Sequence, residues 1–477
     1  MRSKINIVWL KRDLRLQDHE PLYRAQEENI PFILLYIYEP SLILDPHYDK
    51  RHWRFIQESL EDIQLELAKN QNKLSIAYGE SVDIFNELSN RYDIQYVFSH
   101  EETGLNTTFE RDKNVANFFK RQNITWIESQ SNGVIRGLQD RKTWDKAWAR
   151  FMRDKTIKIN PQKLNIIDID FGEINIPSFE EDSNFQKGGM VEAQTTLEDF
   201  FSTRGQDYYK FISKPHKSRS SCSRMSAYIA YGNISIRQIY QKILENWNRV
   251  GWRRSMAALS SRIHWHCHFI QKFESECRIE NETINKGYQN FPYLVEDEEH
   301  ADFTSWLNGM TGFPLIDASM RALRYSGYIN FRSRAMVVSF ACHYLRIHWK
   351  LVAKALARLF LDFEPGIHYP QIQMQAGVTG INTIRIYNPK KQAMDHDPEA
   401  IFIKTWIPEL NSHQPEYIIN LPLQSNDLFS NESNYPQAQY NFQERIRESK
   451  DLLWQWKKSI YVKQNNAKIL AKHVRPQ

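Results

Sequence analysis

The chain is poor in cysteine, and the four it has, Cys222, Cys267, Cys277 and Cys342, form no CxxC pair. Such scatter argues against a disulfide framework and suits free thiols in a reducing compartment. The spacing matches no ferredoxin-like pattern, and Cys222 sits inside a serine-rich run, so an iron-sulfur cluster is not expected. No apolar run approaches the roughly eighteen residues needed to cross a bilayer, and no membrane partner is expected. The amino terminus lacks the apolar centre and small-residue cleavage site of a signal peptide. Met-Arg-Ser-Lys-Ile leads instead into a strand-like run carrying Trp9, followed by Lys11, Arg12 and Asp13. A cytoplasmic protein is the expectation. No GxGxxG follows that first run, so nothing points to NAD. Internal repeats and low-complexity tracts are lacking too.

What the chain has is length, aromatic content and a mild positive charge. Its 477 residues exceed one ordinary core and imply two domains, or three. A net charge of +5 permits nucleic-acid binding without demanding it. From Lys457 to the end, Lys457, Lys458, Lys463, Lys468, Lys472 and Arg475 are accompanied by no acid. That run could follow a phosphate backbone, but a solvated helix face or frayed tail is the commoner meaning. The aromatic share of 13% allows stacking on flat rings, although a large core consumes aromatics as well.

Residues 1–130 alternate short apolar runs with amphipathic ones. Ile5–Leu10, Phe32–Tyr38, Leu74–Ala77, Ile94–Ser99 and Ile124–Ile127 read as strands of a mostly parallel sheet. His52–Leu67, Val82–Leu88 and Asn106–Phe119 have helical spacing between them, which gives a doubly wound α/β domain. Residues 131–196 include a stretch rich in Pro, Gly, Asn and acids and read as an interdomain connector. Residues 197–477 read as an all-α domain, clearest in Leu315–Leu323, Ala335–Trp349 and Leu351–Phe360.

Four motifs carry more than fold. They are INIVWLKRDLRLQDHEPLYRA from Ile5 to Ala25, SCSRMSAYIAYGNIS from Ser221 to Ser235, WLNGMTGFPLIDASMRAL from Trp306 to Leu323, and TGINTIRIYNPKKQAMDHDPEAIFIKTWIPEL from Thr379 to Leu410. In this order they resemble the DNA photolyase/cryptochrome family over nearly the whole chain. The resemblance implies a doubly wound antenna domain, then a helical domain that buries FAD and uses blue light to move electrons. It also implies a second pigment, folate or deazaflavin, with no residue here selecting between them, and a monomer as the family habit.

By its residues alone, Cys222-Ser223-Arg224-Met225-Ser226 offers hydroxyls and consecutive backbone N–H groups before a helical stretch, whose positive end favours an anion. A serine-rich helix start is otherwise just an N-cap. The resemblance assigns this run to FAD, together with Tyr209, Trp265, His266, Phe269, Phe331, Arg334, Asp362, Phe363 and Glu364. It implies that Arg334 pairs with Asp362 beside the flavin, an arrangement a buried guanidinium needs in any case. His368 takes the place of the residue facing flavin N5. The histidines of Arg262-Ile-His-Trp-His-Cys-His-Phe269 invite a metal reading, but only His264 and His268 share a helical face and no acidic third ligand is evident. Hydrogen-bonded histidines are preferred, and no metal is expected.

Two departures bear on function. Many relatives reduce their flavin through three tryptophans. Trp349 matches the middle one, whereas Ile372 or Gln373 takes the proximal place and the outer place falls near Glu296. Tyr344, Tyr369 and Tyr387 are candidates for a detour. Where dimer-splitting relatives place a Glu before the lesion-packing Trp265, this chain has Arg262, which donates hydrogen bonds and accepts none. The second lesion-packing Trp is replaced by Met374 or Gln375. The expected function is repair of UV-damaged DNA, splitting pyrimidine dimers by electron loan, a chemistry that needs neither a catalytic triad nor paired carboxylates. Trp349, His368 and Arg262 are the residues assigned to it. The competing reading is a cryptochrome-like photoreceptor, favoured by the altered Arg262 and Gln375 and disfavoured by the short stretch after Leu410. A redox flavoprotein with incidental light absorption is the third.

Overall fold

The computed structural model describes residues 2–172, 179–421 and 434–474. Five strands, β1 (Lys4–Leu10), β2 (Phe32–Tyr38), β3 (Ser75–Tyr78), β4 (Asp93–His100) and β5 (Thr125–Ser129), form one sheet in the order β3-β2-β1-β4-β5. Every pairing is parallel. All seven residues of β2 are buried, as expected of a central strand covered on both faces. The doubly wound expectation therefore holds, and each expected strand falls within two residues of an observed one. The helix Glu20–Glu27 was not anticipated. It is short, begins with proline in its first turn and takes its N-cap from the His19 ring, which accepts from the Leu22 N–H at 3.1 Å.

The stretch 131–196 is not a bare connector. It contains the helix Trp144–Arg153, whose Trp144, Trp148 and Met152 are buried at four-residue spacing. That face packs against helix Ile236–Glu245, with Trp148 and Tyr240 rings 5.2 Å apart. Helix Met190–Asp199 follows, while residues 173–178 of the stretch lie outside the described residues.

After it the chain is helical, around the long helix Arg253–Ser275 and its close neighbour Pro365–Gln375. Gly366 permits that approach, because a Cβ there would stand 2.9 Å from the Ile270 Cα. The expected helix Ala335–Trp349 is interrupted. Helix Phe331–Ser339 loosens into a π-turn over Phe340–Tyr344, and Arg346 adopts a left-handed φ of 55°. The break lets Ile347 pair with Val295, and a new helix starts at Trp349 under the His348 cap. Arg475 of the basic tail lies outside the described residues.

The two halves dock through their motifs. Gly232, at a φ of 71°, sits so close to the β1 loop that a Cβ would meet the Arg12 carbonyl oxygen at 2.4 Å. Around it, Leu14 N–H donates to the Tyr231 carbonyl at 3.0 Å and Asn233 donates to the Leu14 carbonyl at 3.1 Å. Asp18 is locked by Ser235 and Arg237. Part of the Ser221–Ser235 motif is thus a docking surface. At the switch point between β1 and β4, where open α/β sheets bind ligands, a crevice of about 60 Å³ is lined by both halves, including Arg15, His100, Glu102, His266 and Glu364. It has room for a few waters.

Candidate functional site

The site assembles from three elements: the loop 222–226, helix Phe331–Ser339, and the turn Leu361–Glu364 between helices Trp349–Leu359 and Pro365–Gln375. Arg334 and Asp362 pair as expected, Nη2 to Oδ2 at 2.9 Å, with side chains 29% and 8% exposed. Arg334 Nε also donates to the Ile329 carbonyl at 3.0 Å, and the guanidinium covers the Phe360 ring at 4.1 Å. Burial alone would raise the Asp362 carboxyl; Arg334, Ser226 and Arg224 outweigh it and hold the group below the usual carboxylate range. Oδ1 of Asp362 is buried without a protein partner among the described residues.

The loop 222–226 turns at Arg224, a non-glycine residue at a φ of 62°. Its guanidinium lies 3.6 Å from the Tyr328 ring centroid and donates to Gln186 Oε1 at 3.0 Å. Gln186 returns a bond to the Arg224 carbonyl at 3.0 Å. Arg204 collects the carbonyls of Thr196, Cys222 and Ser223. With those carbonyls taken, the backbone N–H groups of Ser223, Arg224, Met225 and Ser226 donate to no protein acceptor among the described residues. The helix that follows, Ser226–Ala230, has only five residues, so the anticipated helix-dipole contribution is small. What remains are free amides, hydroxyls and a guanidinium.

The Tyr209 ring is half-buried, beside Lys210 and Arg254. Tyr208 is the buried one, its hydroxyl within hydrogen-bonding reach of Arg262 and near Cys222 and Tyr328. Burial pushes the Cys222 thiol up to about 11, and Tyr328 bonds to it. Arg262 itself is on the rim, its guanidinium 4.6 Å from the Phe331 ring. Trp265 is 46% exposed and Phe331 39% exposed. Trp265 stacks on buried Phe269 at 5.6 Å. His266 faces the switch-point crevice, and burial lowers it to about 4. His264 is engaged by Asp145 at 3.0 Å, and both His264 and His268 pack on Trp144.

His368 is buried, with Nε2 2.8 Å from the Ala353 carbonyl, and burial lowers it to about 3. Phe363 is buried, and its carbonyl accepts from Arg12 at 2.8 Å. Arg12 also pairs with Glu364 at 3.1 Å. Two more donors from the first half hold the same turn: Arg51 donates to the Leu359 carbonyl at 2.8 Å, and His52 Nε2 meets the Phe360 carbonyl at 2.9 Å. These carbonyls end a helix, where donors are favourable. Gln375 does not reach the rim. It is buried, with its carbonyl 2.9 Å from His343 Nε2, and Met374, one helical step away, is the partly exposed residue. Trp349 is buried, Gln373 is a brace bonded to Ile279, Ile284 and Glu282, and Glu296 is exposed, so those places carry no tryptophan relay. Arg12, Arg204, Gln186, Tyr208 and Tyr328 were missed from sequence; only the charged loop after β1 gave a hint.

Two guanidiniums, Arg224 and Arg334, against the single carboxylate of Asp362 leave the cluster one positive charge in surplus. Free amides beside it fit a diphosphate, and an unpartnered buried carboxylate oxygen fits an N–H or O–H donor. Such a donor set, inside helices docked on a doubly wound sheet, suits a dinucleotide cofactor.

Comparison with known proteins gives the family. Residues 6–157 match the DNA photolyase family model and residues 258–455 the model for the FAD binding domain of DNA photolyase. The chain is 26% identical to cryptochrome DASH of Synechocystis sp., covering 92% of this chain and 96% of that protein. It is 25% identical to the deoxyribodipyrimidine photo-lyase of Alkalihalophilus pseudofirmus, covering 88% and 90%. A bacterial class III photolyase from Agrobacterium tumefaciens superposes with a TM-score of 0.83 at 22% identity, over 96% of this chain and 99% of that one. The chain belongs to the photolyase/cryptochrome family and carries its FAD-binding domain. Among the described residues no helix is long and apolar enough to cross a membrane.

Proposed function

We propose that this protein repairs UV-damaged DNA, splitting pyrimidine dimers with light. The observation that carries the reading is the rim: Trp265 and Phe331 expose their rings, with Arg262 between Phe331 and the buried Tyr208. Exposed rings beside a buried cationic cluster suit an unstacked base, each stacking contact contributing about 1–3 kcal/mol. Bound FAD supplies blue absorption and a single electron for loan. The loop amides with Arg224 hold its diphosphate, the Arg334–Asp362 pair sets the charge beside its ring, and the depressed His368 stays neutral at physiological pH. Arg262 offers only donors, so it selects acceptor edges of the damaged bases.

A photoreceptor is the second reading, favoured by Arg262 in the place of a carboxylate and by relatives that bear both names. The test is to reduce the purified protein and illuminate it with cyclobutane and (6-4) lesions in single- and double-stranded oligonucleotides. Light-dependent restoration of bases supports repair; flavin photochemistry with no restoration transfers support to the photoreceptor. A folate or deazaflavin antenna does not fit the 60 Å³ crevice as it stands, since small-molecule sites begin near about 300 Å³. A second pigment is to be sought in the absorption of the purified protein.

A further inference from the structure

A buried tyrosine, a histidine and an aspartate are joined in line across the junction of the two halves, beside His368 and Phe363. Tyr369, 2% exposed, hydrogen-bonds through its hydroxyl to His47 Nε2. His47 Nδ1 lies 2.6 Å from Asp45 Oδ1, which also accepts the His47 backbone N–H at 3.0 Å. Asp45 Oδ2 accepts from Thr107 at 3.1 Å. The proton order follows from these contacts. An ionised carboxylate can only accept, so Nδ1 carries the proton, and Nε2 is left as a lone pair receiving the phenolic O–H. Burial would raise the Asp45 carboxyl, but the His47 and Thr107 bonds hold it low, so the carboxylate is ionised. Tyr369 is pushed well above its ordinary value by burial and by the acids Glu280 and Asp45, so it sits as a neutral phenol.

The ring has neighbours suited to an electron as well as to a proton. Tyr369 meets Trp349 edge-on at 6.5 Å, and Trp349 continues through His348 at 6.0 Å to Tyr293 at 4.6 Å. Phe291 and half-buried Trp456 follow at 5.1 and 5.5 Å. Oxidising a phenol that keeps its proton makes a strongly acidic radical cation; oxidation with a base in hydrogen-bond contact avoids that species.

We propose that Tyr369 is a redox-active tyrosine whose proton acceptor is His47, held in tautomer by Asp45, and that it serves where the proximal tryptophan of the relay is absent. The proposal rests on the flavoprotein reading for its oxidant, a light-excited oxidised flavin. One electron leaves Tyr369 for that oxidant, the O–H bond breaks, and the proton forms an N–H bond at His47 Nε2. The products are a neutral tyrosyl radical and an imidazolium paired with Asp45. When one electron returns to Tyr369, His47 gives the proton back.

The test is time-resolved electron paramagnetic resonance on the purified, flavin-loaded protein. Blue light alone drives one arm, and a ruthenium polypyridyl photo-oxidant with persulfate drives the other. A tyrosyl signal is expected in both arms, absent in Tyr369→Phe and retained in Tyr344→Phe. His47→Gln keeps a hydrogen-bond acceptor but no base, and is expected to slow radical formation roughly a hundredfold, the lower range for a positioned base. An unchanged signal in Tyr369→Phe, or an unchanged rate in His47→Gln, overturns the proposal. If the protein binds no FAD, the flavoprotein reading fails, and the ruthenium arm alone decides whether Tyr369 and His47 form the proposed pair.

Discussion

Replacing Asp362 by Asn tests whether the Arg334 pair is part of the cofactor site or a surface contact. The substitution keeps the shape and one acceptor but removes the charge facing a guanidinium at 2.9 Å. Two unit charges about 4 Å apart attract by about 4 kcal/mol at an effective dielectric of about 20. Arg334 is 29% exposed, so water recovers part of that. Its bond to Ile329 and its place over Phe360 remain, which hold the cation where it is, without a counter-charge. The expected loss is about 2–3 kcal/mol, below the roughly 3–5 kcal/mol of a fully buried broken pair. Urea unfolding followed by tryptophan emission should show a lower midpoint at an unchanged slope. Flavin absorbance per protein should fall with it, because about 2 kcal/mol lost from binding weakens affinity roughly thirtyfold. A variant that unfolds within about 0.5 kcal/mol of the parent and keeps its full FAD would refute this assignment of the pair.

The remaining expectations are shorter. Arg262→Glu exchanges donors for acceptors on the rim, so lesion preference should change in the oligonucleotide assay while FAD content stays constant; loss of FAD would show that Arg262 faces the cofactor. Acid lability should be pronounced, because burial lowers His52, His266 and His343 to about 4 and His100 and His368 to about 3, against an ordinary 6.5. The unfolded chain binds these protons first, so stability is complete above about pH 6.5 and declines toward pH 4, each histidine contributing about 1.4 kcal/mol per pH unit. Unfolding titrations between pH 7 and 4 check this; a flat profile through pH 5 would mean these rings are solvated. Asp362 acts in the same direction in a more acid window: its contribution is complete above the ordinary 3.8 and is lost as pH falls from there through its lowered value.

The sheet was legible because buried parallel strands leave unbroken apolar runs, as Phe32–Tyr38 does. Helix Trp144–Arg153 was equally readable, since Trp144, Trp148 and Met152 repeat every four residues, but the Pro- and Gly-rich stretch beyond it obscured the pattern. The break after Tyr344 was not legible, because Ile347 leaves the helix for a bridge to Val295, a contact that no local pattern announces. The pairing of Arg334 with Asp362 was anticipated through motif resemblance, and the two side chains do pair. The buried Tyr208 was passed over, and Gln375 was taken with Met374, because one residue along a helix turns the side chain by about 100° and the sequence alone did not fix the phase. Gln186 and Arg12 reach the site across long stretches of chain, so only folding brings them there.

That last group changes what the helical domain can be held to do by itself. The turn bearing Asp362 is fastened by Arg12, Arg51 and His52 from the first half, and Arg224 by Gln186 from the intervening stretch. Each fastening contact involves a cation or a carbonyl that ends a helix, so releasing one leaves a buried polar group unpaired, at about 1–3 kcal/mol each. The Arg334–Asp362 pair and the Arg224 loop are therefore held in place by the docking of the two halves. A displacement at the docking loop around Gly232 would pass through Arg12 to Phe363 and Glu364 before it reached any residue of the exposed rim. Repair and signalling differ in which direction they use that coupling. A repair enzyme needs the junction rigid, so that the guanidinium pair stays fixed through the light cycle, whereas a photoreceptor needs it to yield. The many paired contacts across the junction, Asp18 with Ser235 and Arg237 among them, favour rigidity and so weigh toward repair.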